Sequence, residues 1–315
     1  MTVDYSVYLV TDSTPAILGD RPLLRVVEEA LQGGVTIVQY RDKTLARDAF
    51  VSTARELHAL TRRYGVPLLI NDRVDVAAEI GCEGVHVGQE DLALDAVRGI
   101  VGADAIVGVT ASSAEEAIAA ARGGATYLGL GTVFATQTKR DTKSVIGTAG
   151  VASILAALDA AGHGRVPTVC IGGVGVADAR RVMQLSASPA KSLDGVAVVS
   201  ALIAAPRPAE AASVLAGQVA TAKVAEVVRA VADVSPLSHN MTNLVVQNFA
   251  ANVALAVGAS PIMSNYAEEA ADLAKLGGAL VINMGTVTPE GLNSYVKAIQ
   301  AYNAAGRPVV YDPVG

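Results

Sequence analysis

Eight short apolar segments alternate with longer Ala-rich segments over the first 200 residues of the chain. The apolar segments are rich in Val and Ile and occupy residues 7–12, 36–43, 67–72, 84–89, 106–111, 127–133, 166–173 and 194–200. The segments between them have helical patterns, and many end in Gly, as helix C-caps do. Strands that alternate with helices predict a parallel α/β sheet, because each parallel crossover needs a long connection.

Eight strand–helix units in roughly 200 residues predict the closed (β/α)₈ TIM barrel. Closure removes both edges of the sheet, so no strand is left with unpaired backbone groups. A doubly wound open sheet is the alternative. It would usually have fewer strands, and no glycine fingerprint follows the first segment, VYLVTD.

Composition and net charge argue against nucleic-acid-binding, membrane-anchored and disulfide-rich proteins. The chain is 51% hydrophobic with 30 Gly, which fits close helix-to-strand packing, and its net charge of −6 with no basic stripe argues against nucleic acid. No uninterrupted apolar run has membrane-spanning length, and the N-terminus lacks a basic region before its apolar residues. Cys82 and Cys170 are the only cysteines. We therefore expect a cytoplasmic chain with no membrane anchor and no disulfide framework.

A second domain follows the barrel. A long helical stretch spans residues 208–234, and we place the domain boundary within it, which gives domains at 1–222 and 223–315. The remainder restarts with the turn-like SPLSHNMTN, continues with the helical VVQNFAANVALAVG, and contains two further strands, ALVINMG and PVVYDPVG. These strands cannot join a closed eight-stranded barrel, so they predict a separate, partial α/β domain.

Polar residues follow the predicted strands at one end of the barrel. Active sites of such barrels lie on the face formed by the carboxyl ends of the strands. Solvated residues without a function would be scattered over both ends of the barrel. The polar residues are gathered at one end, which predicts the active site there. The residues are Gln39, Arg41, Lys43, Asn71, Asp72, Asp91, Thr110, Thr136, Gln137, Thr138, Lys139, Gly172, Gly173 and Ser200.

The residue types at this end suit phosphate and a metal ion. Arg41 and two lysines bring three positive charges to one mouth, and these groups recognise phosphate. Asp72 and Asp91 are suited to Mg²⁺ whose shell is completed by substrate phosphates, although each could instead be a helix N-cap. Gly172 and Gly173 would let backbone N–H groups approach a second phosphate, or they form a plain tight turn. Together these features indicate a diphosphate substrate or leaving group.

His86 lies within the fourth predicted strand and could point into the barrel. A hydrogen-bonded core histidine is the favoured interpretation, and a general base is the alternative. No Cys or His spacing indicates a zinc site.

Five motifs together resemble thiamine phosphate synthase over about residues 5–220. They are QYRDK, the IND of PLLIND, HVGQEDL, TQTKRDT and IGG, in the order and spacing of that family. The later segments HNMTNLVVQNFAANVALAVGASPIM, INMGT and YDPVG resemble the start of hydroxyethylthiazole kinase, a ribokinase-like fold. The fusion, synthase first, resembles the bifunctional thiamine biosynthesis enzymes of fungi.

The resemblance implies a reaction in which the thiazole nitrogen displaces pyrophosphate from the pyrimidine methylene carbon. It implies three groups of site residues. An aminopyrimidine diphosphate would be held by Gln39, Arg41, Lys43, Asn71, Thr110 and Lys139; Mg²⁺ by Asp72 and Asp91; and a thiazole phosphate by Thr136, Gln137, Thr138, Gly173, Val199 and Ser200. Arg41, Lys43 and Lys139 would also stabilise charge on the leaving diphosphate. Many relatives have Ser at Thr110, which keeps the hydroxyl, and often Glu at Gln137.

In the second domain, Asn243 and Met263 match thiazole-binding positions of the kinase family. The chain stops before the family's nucleotide-binding segment, so we expect no kinase activity from this chain by itself, and ATP would serve only the kinase part of a full-length enzyme. A homo-oligomer is expected because kinase relatives form trimers. Two alternatives remain: an isomerase-type barrel that binds only thiazole phosphate, and an assembly role for the tail. QYRDK and both aspartates disfavour the isomerase.

Overall fold

The computed structural model describes residues 3–136 and 144–314. Two compact units divide the chain, residues 1–222 and residues 223–315.

The first unit is a closed barrel of eight parallel strands, which confirms the predicted architecture. The strands pair in chain order, and β8 pairs with β1 to close the barrel. They are β1 (Val7–Val10), β2 (Ile37–Tyr40), β3 (Leu68–Asn71), β4 (Gly84–Val87), β5 (Ile106–Ala111), β6 (Tyr127–Leu130), β7 (Thr168–Ile171) and β8 (Gly195–Val198). Each strand has four to six residues, so the polar residues that close the apolar sequence segments lie at the strand ends or in the following loops.

Helices cover the outside of the barrel. They are α1 (Pro15–Leu18), α2 (Leu23–Gln32), α3 (Arg47–Arg63), α4 (Val74–Ile80), α5 (Leu94–Val101), α6 (Ala114–Arg122), α7 (Gly147–Ala160), α8 (Ala179–Ser186), α9 (Ser200–Ile203) and α10 (Pro208–Val234). The short helices α1 and α9 lie within segments that the sequence analysis did not assign to helices. Alanines such as Ala54 and Ala117 are fully buried between helices and strands, which explains the Ala-rich composition.

The two-residue period of a strand divides each barrel strand into inward and outward side chains. In β1, Val7 and Leu9 pack outward against the helices, whereas Tyr8 and Val10 belong to a separate cluster inside the barrel. Tyr127 of β6 belongs to the same inner cluster. Residues that continue the inward series past this cluster reach the carboxyl end of the barrel.

Helix α10 departs from one sequence expectation. By length and composition it could cross a membrane, and it is the one such helix in the described part of the chain. The helix contains no uninterrupted apolar run of membrane-spanning length, because charged residues such as Lys223 are spaced along it. Its first half packs on the barrel through Ala212, Leu215 and Val219. A helix that packs on a protein core can have the length and composition of a membrane-spanning helix. Because its first half packs on the barrel, we assign that half to the barrel unit.

The second unit contains a parallel sheet in the order β10-β9-β11-β12. Its strands are β9 (Leu237–Met241), β10 (Ser260–Met263), β11 (Ala279–Asn283) and β12 (Val309–Asp312), and its helices are α11 (Gln247–Ala256), α12 (Ala270–Leu276) and α13 (Pro289–Ala304), with a 3₁₀ turn at Ala267–Glu269. Met241, Leu280, Tyr295 and Tyr302 are among the side chains of its core.

The interpretation of SPLSHNMTN as turn-like was wrong, because it contains β9, an inner strand of this sheet. The segment looks polar, but its polar side chains find partners within the fold: His239 Nε2 is 2.9 Å from the Ser264 carbonyl, and Asn240 Nδ2 donates to the Ser238 carbonyl at 2.7 Å. Strand β10 was also missed, since it contains Pro261. It lies at one end of the described strand order, where proline is tolerated.

Candidate functional site

A cavity of about 620 Å³ opens at the carboxyl ends of the barrel strands. Nine of the predicted site residues line it: Gln39, Arg41, Asn71, Thr110, Thr136, Gly172, Gly173, Val199 and Ser200. Lys43, Asp72 and Asp91 do not line it. The fold thus brings together residues from six strands or the loops after them. Their roles remain predictions.

Arg41 is fixed at the mouth of the cavity by the end of β1. Its backbone N–H donates to Thr11 Oγ1 at 2.9 Å, and its carbonyl accepts from the same hydroxyl at 3.1 Å. Its guanidinium lies 3.7 Å from Asp12 Oδ2, and Asp12 Oδ1 in turn accepts from the backbone N–H and hydroxyl of Thr14. These contacts hold a planar cation with five donors beside the cavity.

Asp72 and Asp91 form a carboxylate pair beside Lys43. Burial, and then the neighbouring Asp91 carboxylate, raise the pKa of Asp72 to about 6, and the charge of Lys43 opposes this. Asp91 Oδ2 accepts from the Gly88 backbone N–H at 2.6 Å. Two close, partly desolvated carboxylates repel each other, and a divalent cation would relieve the repulsion. The pair therefore fits Mg²⁺.

The alternative interpretation of these aspartates as helix caps is wrong. The cap of α4 is Arg73 and the cap of α5 is Ala93, and neither helix receives a side-chain cap bond. In the described ranges, no third His, Cys, Asp or Glu joins the pair to form a larger metal-binding cluster.

We expect Asp72→Asn to stabilise the protein in Mg²⁺-free buffer at pH 7. The folded pKa of about 6 lies above the ordinary value of 3.8, so the folded state binds more protons between those values. Stability therefore falls as the pH rises from about 4 to about 6 and stays lowered above it. Asn removes the charge and tolerates the left-handed backbone of residue 72, whose φ is 59°. With allowance for solvent screening, we expect a gain of about 1 kcal/mol.

Thermal unfolding of both proteins at pH 4 and pH 7 measures this effect. The advantage of the Asn variant should be largest at pH 7 and vanish near pH 4, and added Mg²⁺ should raise the melting temperature of the wild type only. A variant that is less stable than the wild type at pH 7 would contradict the expectation.

The loop after β7 forms a second polar wall of the cavity. Gly172 and Gly173 have φ values of 101° and 68°. A Cβ on Gly173 would lie 2.7 Å from Phe134 Cβ and 2.9 Å from the Ala135 carbonyl oxygen, because the loop after β6 runs alongside. Within the described residues, the N–H groups of Gly173 and Val174 donate to no protein acceptor. The turn is tight, and it also leaves two donors for an anion.

His86 points into the barrel and is hydrogen-bonded at both ring nitrogens, which agrees with the core-histidine interpretation. Nδ1 lies 2.6 Å from Tyr127 Oη, and Nε2 lies 2.8 Å from Thr110 Oγ1. Tyr127 in turn contacts Tyr8. Neither tyrosine is among the site residues predicted from the sequence. The available signal was a tyrosine at an inward position of an otherwise aliphatic strand, in VYLV and in YLGL.

In the second unit, Asn243 and Met263 lie at the carboxyl ends of neighbouring strands. Asn243 Oδ1 accepts from the Val245 backbone N–H at 2.9 Å, and its Nδ2 donates to Asn283 Oδ1 at 3.0 Å. The Met263 carbonyl accepts from Gln247 Nε2 at 3.4 Å. This edge of a parallel sheet is where α/β folds bind ligands.

Gln137, Thr138 and Lys139 lie outside the described residues, so their predicted roles stay predictions.

Comparison with known proteins gives a consistent result. Residues 7–202 match the sequence model of the thiamine monophosphate synthase family, and residues 228–315 match that of the hydroxyethylthiazole kinase family. The thiamine-phosphate synthase of Azorhizobium caulinodans is 47% identical over 67% of this chain and 93% of its own length. The solved thiamine phosphate pyrophosphorylase of Pyrococcus furiosus superposes with a TM-score of 0.59 at 32% identity, over 70% of this chain and 97% of that structure.

A two-domain relative covers both units. The thiamine biosynthetic bifunctional enzyme of Saccharomyces cerevisiae is 40% identical over 99% of this chain. This chain spans 62% of the length of that relative. On the match of most of its barrel unit and on these identities, the chain belongs to the thiamine monophosphate synthase family, and its second unit is similar to the hydroxyethylthiazole kinase family.

Proposed function

We propose that the barrel unit is a transferase that makes thiamine phosphate. In this reaction the thiazole nitrogen of a thiazole phosphate forms a bond to the methylene carbon of an aminopyrimidine diphosphate. The bond from that carbon to the diphosphate oxygen breaks, and pyrophosphate leaves with the electron pair. Electron donation from the aminopyrimidine ring makes the transition state cation-like, so no strong enzyme base is required.

One observation carries the proposal: a single cavity has two separate walls suited to anions. Arg41 lines the first wall, after β2, whereas Lys43 and the Asp72–Asp91 pair follow β2, β3 and β4 at the same end of the barrel without lining the cavity. The glycine loop with its two N–H donors lies after β7. A reaction that joins a diphosphate to a monophosphate needs both walls, whereas an isomerase acting on one thiazole phosphate would need only the second.

Each wall has a chemical task. Arg41, Lys43 and Lys139 would bind the diphosphate and stabilise the negative charge that develops as it leaves. Gln39, Asn71 and Thr110 would hold the pyrimidine ring between the walls. Mg²⁺, when bound by Asp72 and Asp91, supplies further stabilisation of charge on the phosphate oxygens. The thiazole phosphate would lie against Gly173, Val199 and Ser200, with Thr136, Gln137 and Thr138 from the loop after β6.

For the second unit we propose descent from an ATP-dependent thiazole kinase, with Asn243 and Met263 at its thiazole site. We also propose a cytosolic, homo-oligomeric protein. Exposed apolar side chains in this unit support association, among them Leu244, Val245 and Phe249, which are 79%, 86% and 72% exposed.

The test is product formation by the purified chain. With both substrates, thiamine phosphate and pyrophosphate should form in equal amounts, and chelation of Mg²⁺ should suppress them. Omission of the thiazole phosphate should abolish product. If a folded protein converts thiazole phosphate to an isomer and never releases pyrophosphate, the proposal is wrong and the isomerase replaces it.

A further inference from the structure

A chain of hydrogen bonds crosses the inside of the barrel and joins Gln39 to Thr110, which both line the cavity. Gln39 Nε2 donates to Tyr8 Oη at 2.7 Å, and Tyr8 Oη lies 2.6 Å from Tyr127 Oη. Tyr127 Oη lies 2.6 Å from His86 Nδ1, and His86 Nε2 lies 2.8 Å from Thr110 Oγ1. Gln39, His86 and Thr110 line the cavity, whereas both tyrosines lie beneath it in the inner core.

The direction of each bond follows from the first donor. Tyr8 Oη accepts from Gln39 Nε2, and its one remaining hydrogen-bond partner is Tyr127 Oη. Only donation from Tyr8 to Tyr127 leaves no buried hydroxyl proton without an acceptor, so we take the chain to run in that direction. Tyr127 then donates to His86 Nδ1. A neutral imidazole that accepts at Nδ1 carries its proton on Nε2, which donates to Thr110 Oγ1. The Thr110 hydroxyl, having accepted from His86, keeps its own proton for another acceptor.

The surroundings keep these groups in place. Tyr8 and Tyr127 are almost fully buried, and burial raises the pKa of each well above 10, so both remain protonated donors. The strands leave room for the rings through two glycines. A Cβ on Gly108 would overlap the ring and hydroxyl of Tyr127, and one on Gly129 would lie 3.2 Å from His86 Cε1. Gly108 and Gly129 therefore provide the space that the hydrogen-bonded Tyr127 and His86 rings occupy.

We propose that Tyr8, Tyr127 and His86 are positioning residues that set the hydrogen-bonding polarity of the cavity. They hold His86 as the Nε2–H tautomer and make Thr110 a donor toward the substrate. Thr110 then selects a ring atom with a free lone pair, such as an unprotonated nitrogen of the pyrimidine. This inference rests on the proposed function, because it takes the pyrimidine as the ring beside Thr110.

The tautomer of His86 is measurable without turnover. ¹⁵N NMR of the ligand-free wild-type protein, with the His86 signals assigned by comparison with His86→Asn, should show a protonated Nε2 and an unprotonated Nδ1. Protonation on Nδ1 would mean that the chain runs in the opposite direction and would overturn the proposal. This readout is the same whether or not the protein makes thiamine phosphate, so it separates failure of the inference from failure of the proposed function.

Kinetics give the second test. We expect Tyr127→Phe to raise the KM for the pyrimidine diphosphate about tenfold and to leave the KM for the thiazole phosphate unchanged, because a mispositioned Thr110 loses about one hydrogen bond. The double variant Tyr8→Phe/Tyr127→Phe should have no higher KM for the pyrimidine diphosphate than Tyr127→Phe, because the single substitution already interrupts the hydrogen-bond chain.

Tyr5→Phe is the matched control. The Tyr5 ring packs against the Tyr127 ring, with centroids 4.9 Å apart and ring planes tilted by 35°, but Tyr5 is not a member of the hydrogen-bond chain. It should leave both KM values unchanged. If Tyr5→Phe and Tyr127→Phe have equal effects, or if Tyr127→Phe raises both KM values alike, the tyrosines contribute only to packing and the proposal fails.

Discussion

Arg41→Met is expected to lower the turnover of thiamine phosphate synthesis by about 10³-fold, the effect of removing a preorganised donor from developing charge. The guanidinium is oriented before substrate arrives, because the end of β1 fixes its backbone and Asp12 lies 3.7 Å from its Nη1. A fixed cation at the leaving diphosphate needs no reorganisation as charge develops there. The loss should therefore appear in kcat, with a smaller change in KM.

Two further variants distinguish the contribution of the Arg41 charge from that of its planar geometry and from a general effect of replacing an arginine. Arg41→Lys keeps the charge and loses the planar fork, so we expect an intermediate loss of about tenfold. Arg47→Met is the matched control, since Arg47 is exposed and pairs with Asp75 and Glu79 on the outside of the barrel. It should leave turnover unchanged. Circular dichroism checks folding, because Arg41→Met leaves the buried Asp12 carboxylate without its cation. A folded Arg41→Met variant with normal turnover would remove Arg41 from the mechanism.

The barrel could be predicted from the sequence because the patterns that indicate its strands and helices are local and are repeated along the chain. Each of the eight units carries its own strand pattern and helix pattern, and closure follows from their number. The carboxyl-end rule then places Gln39, Arg41, Asn71 and Thr110 at one mouth without any knowledge of contacts, and all four line the cavity.

What could not be predicted depends on contacts between distant residues. Tyr8 and Tyr127 are 119 positions apart, and nothing near either residue indicates that their hydroxyls meet. Strand β9 was missed for a related reason. Its polar side chains are paired by groups from the following segment, such as the Ser264 carbonyl, and composition alone could not show that pairing.

The layered packing of inward-facing barrel residues explains why the cavity residues could be predicted and why the two tyrosines could not. Inward residues of a barrel form layers, and the upper layer touches substrate while the layer below supports it. Sequence patterns identify the upper layer by its polarity. The layer below contains Tyr8 and Tyr127 among aliphatic residues and therefore resembles ordinary core. Its role becomes visible only when the hydrogen bonds that link it to Gln39 and Thr110 are known.

Gly173→Ala is expected to lower kcat/KM for the thiazole phosphate by about 10²-fold, the effect of misplacing a substrate by about 1 Å. A Cβ at this position would lie 2.7 Å from Phe134 Cβ and 2.9 Å from the Ala135 carbonyl oxygen, so the two loops must separate. That movement would displace the Gly173 and Val174 N–H groups proposed to bind the phosphate. The pyrimidine diphosphate is proposed to bind at the other wall, so its KM should change little.

Gly65→Ala distinguishes this effect from backbone strain. Gly65 has a φ of 67°, almost equal to the 68° of Gly173, and a Cβ on it would meet no atom within 4 Å. Both variants should lose about 1 kcal/mol of stability from the left-handed backbone, and Gly173→Ala somewhat more from its contacts. Only Gly173→Ala should impair use of the thiazole phosphate. Equal kinetics for the two variants, measured well below their melting temperatures, would show that the glycine loop does not bind that phosphate.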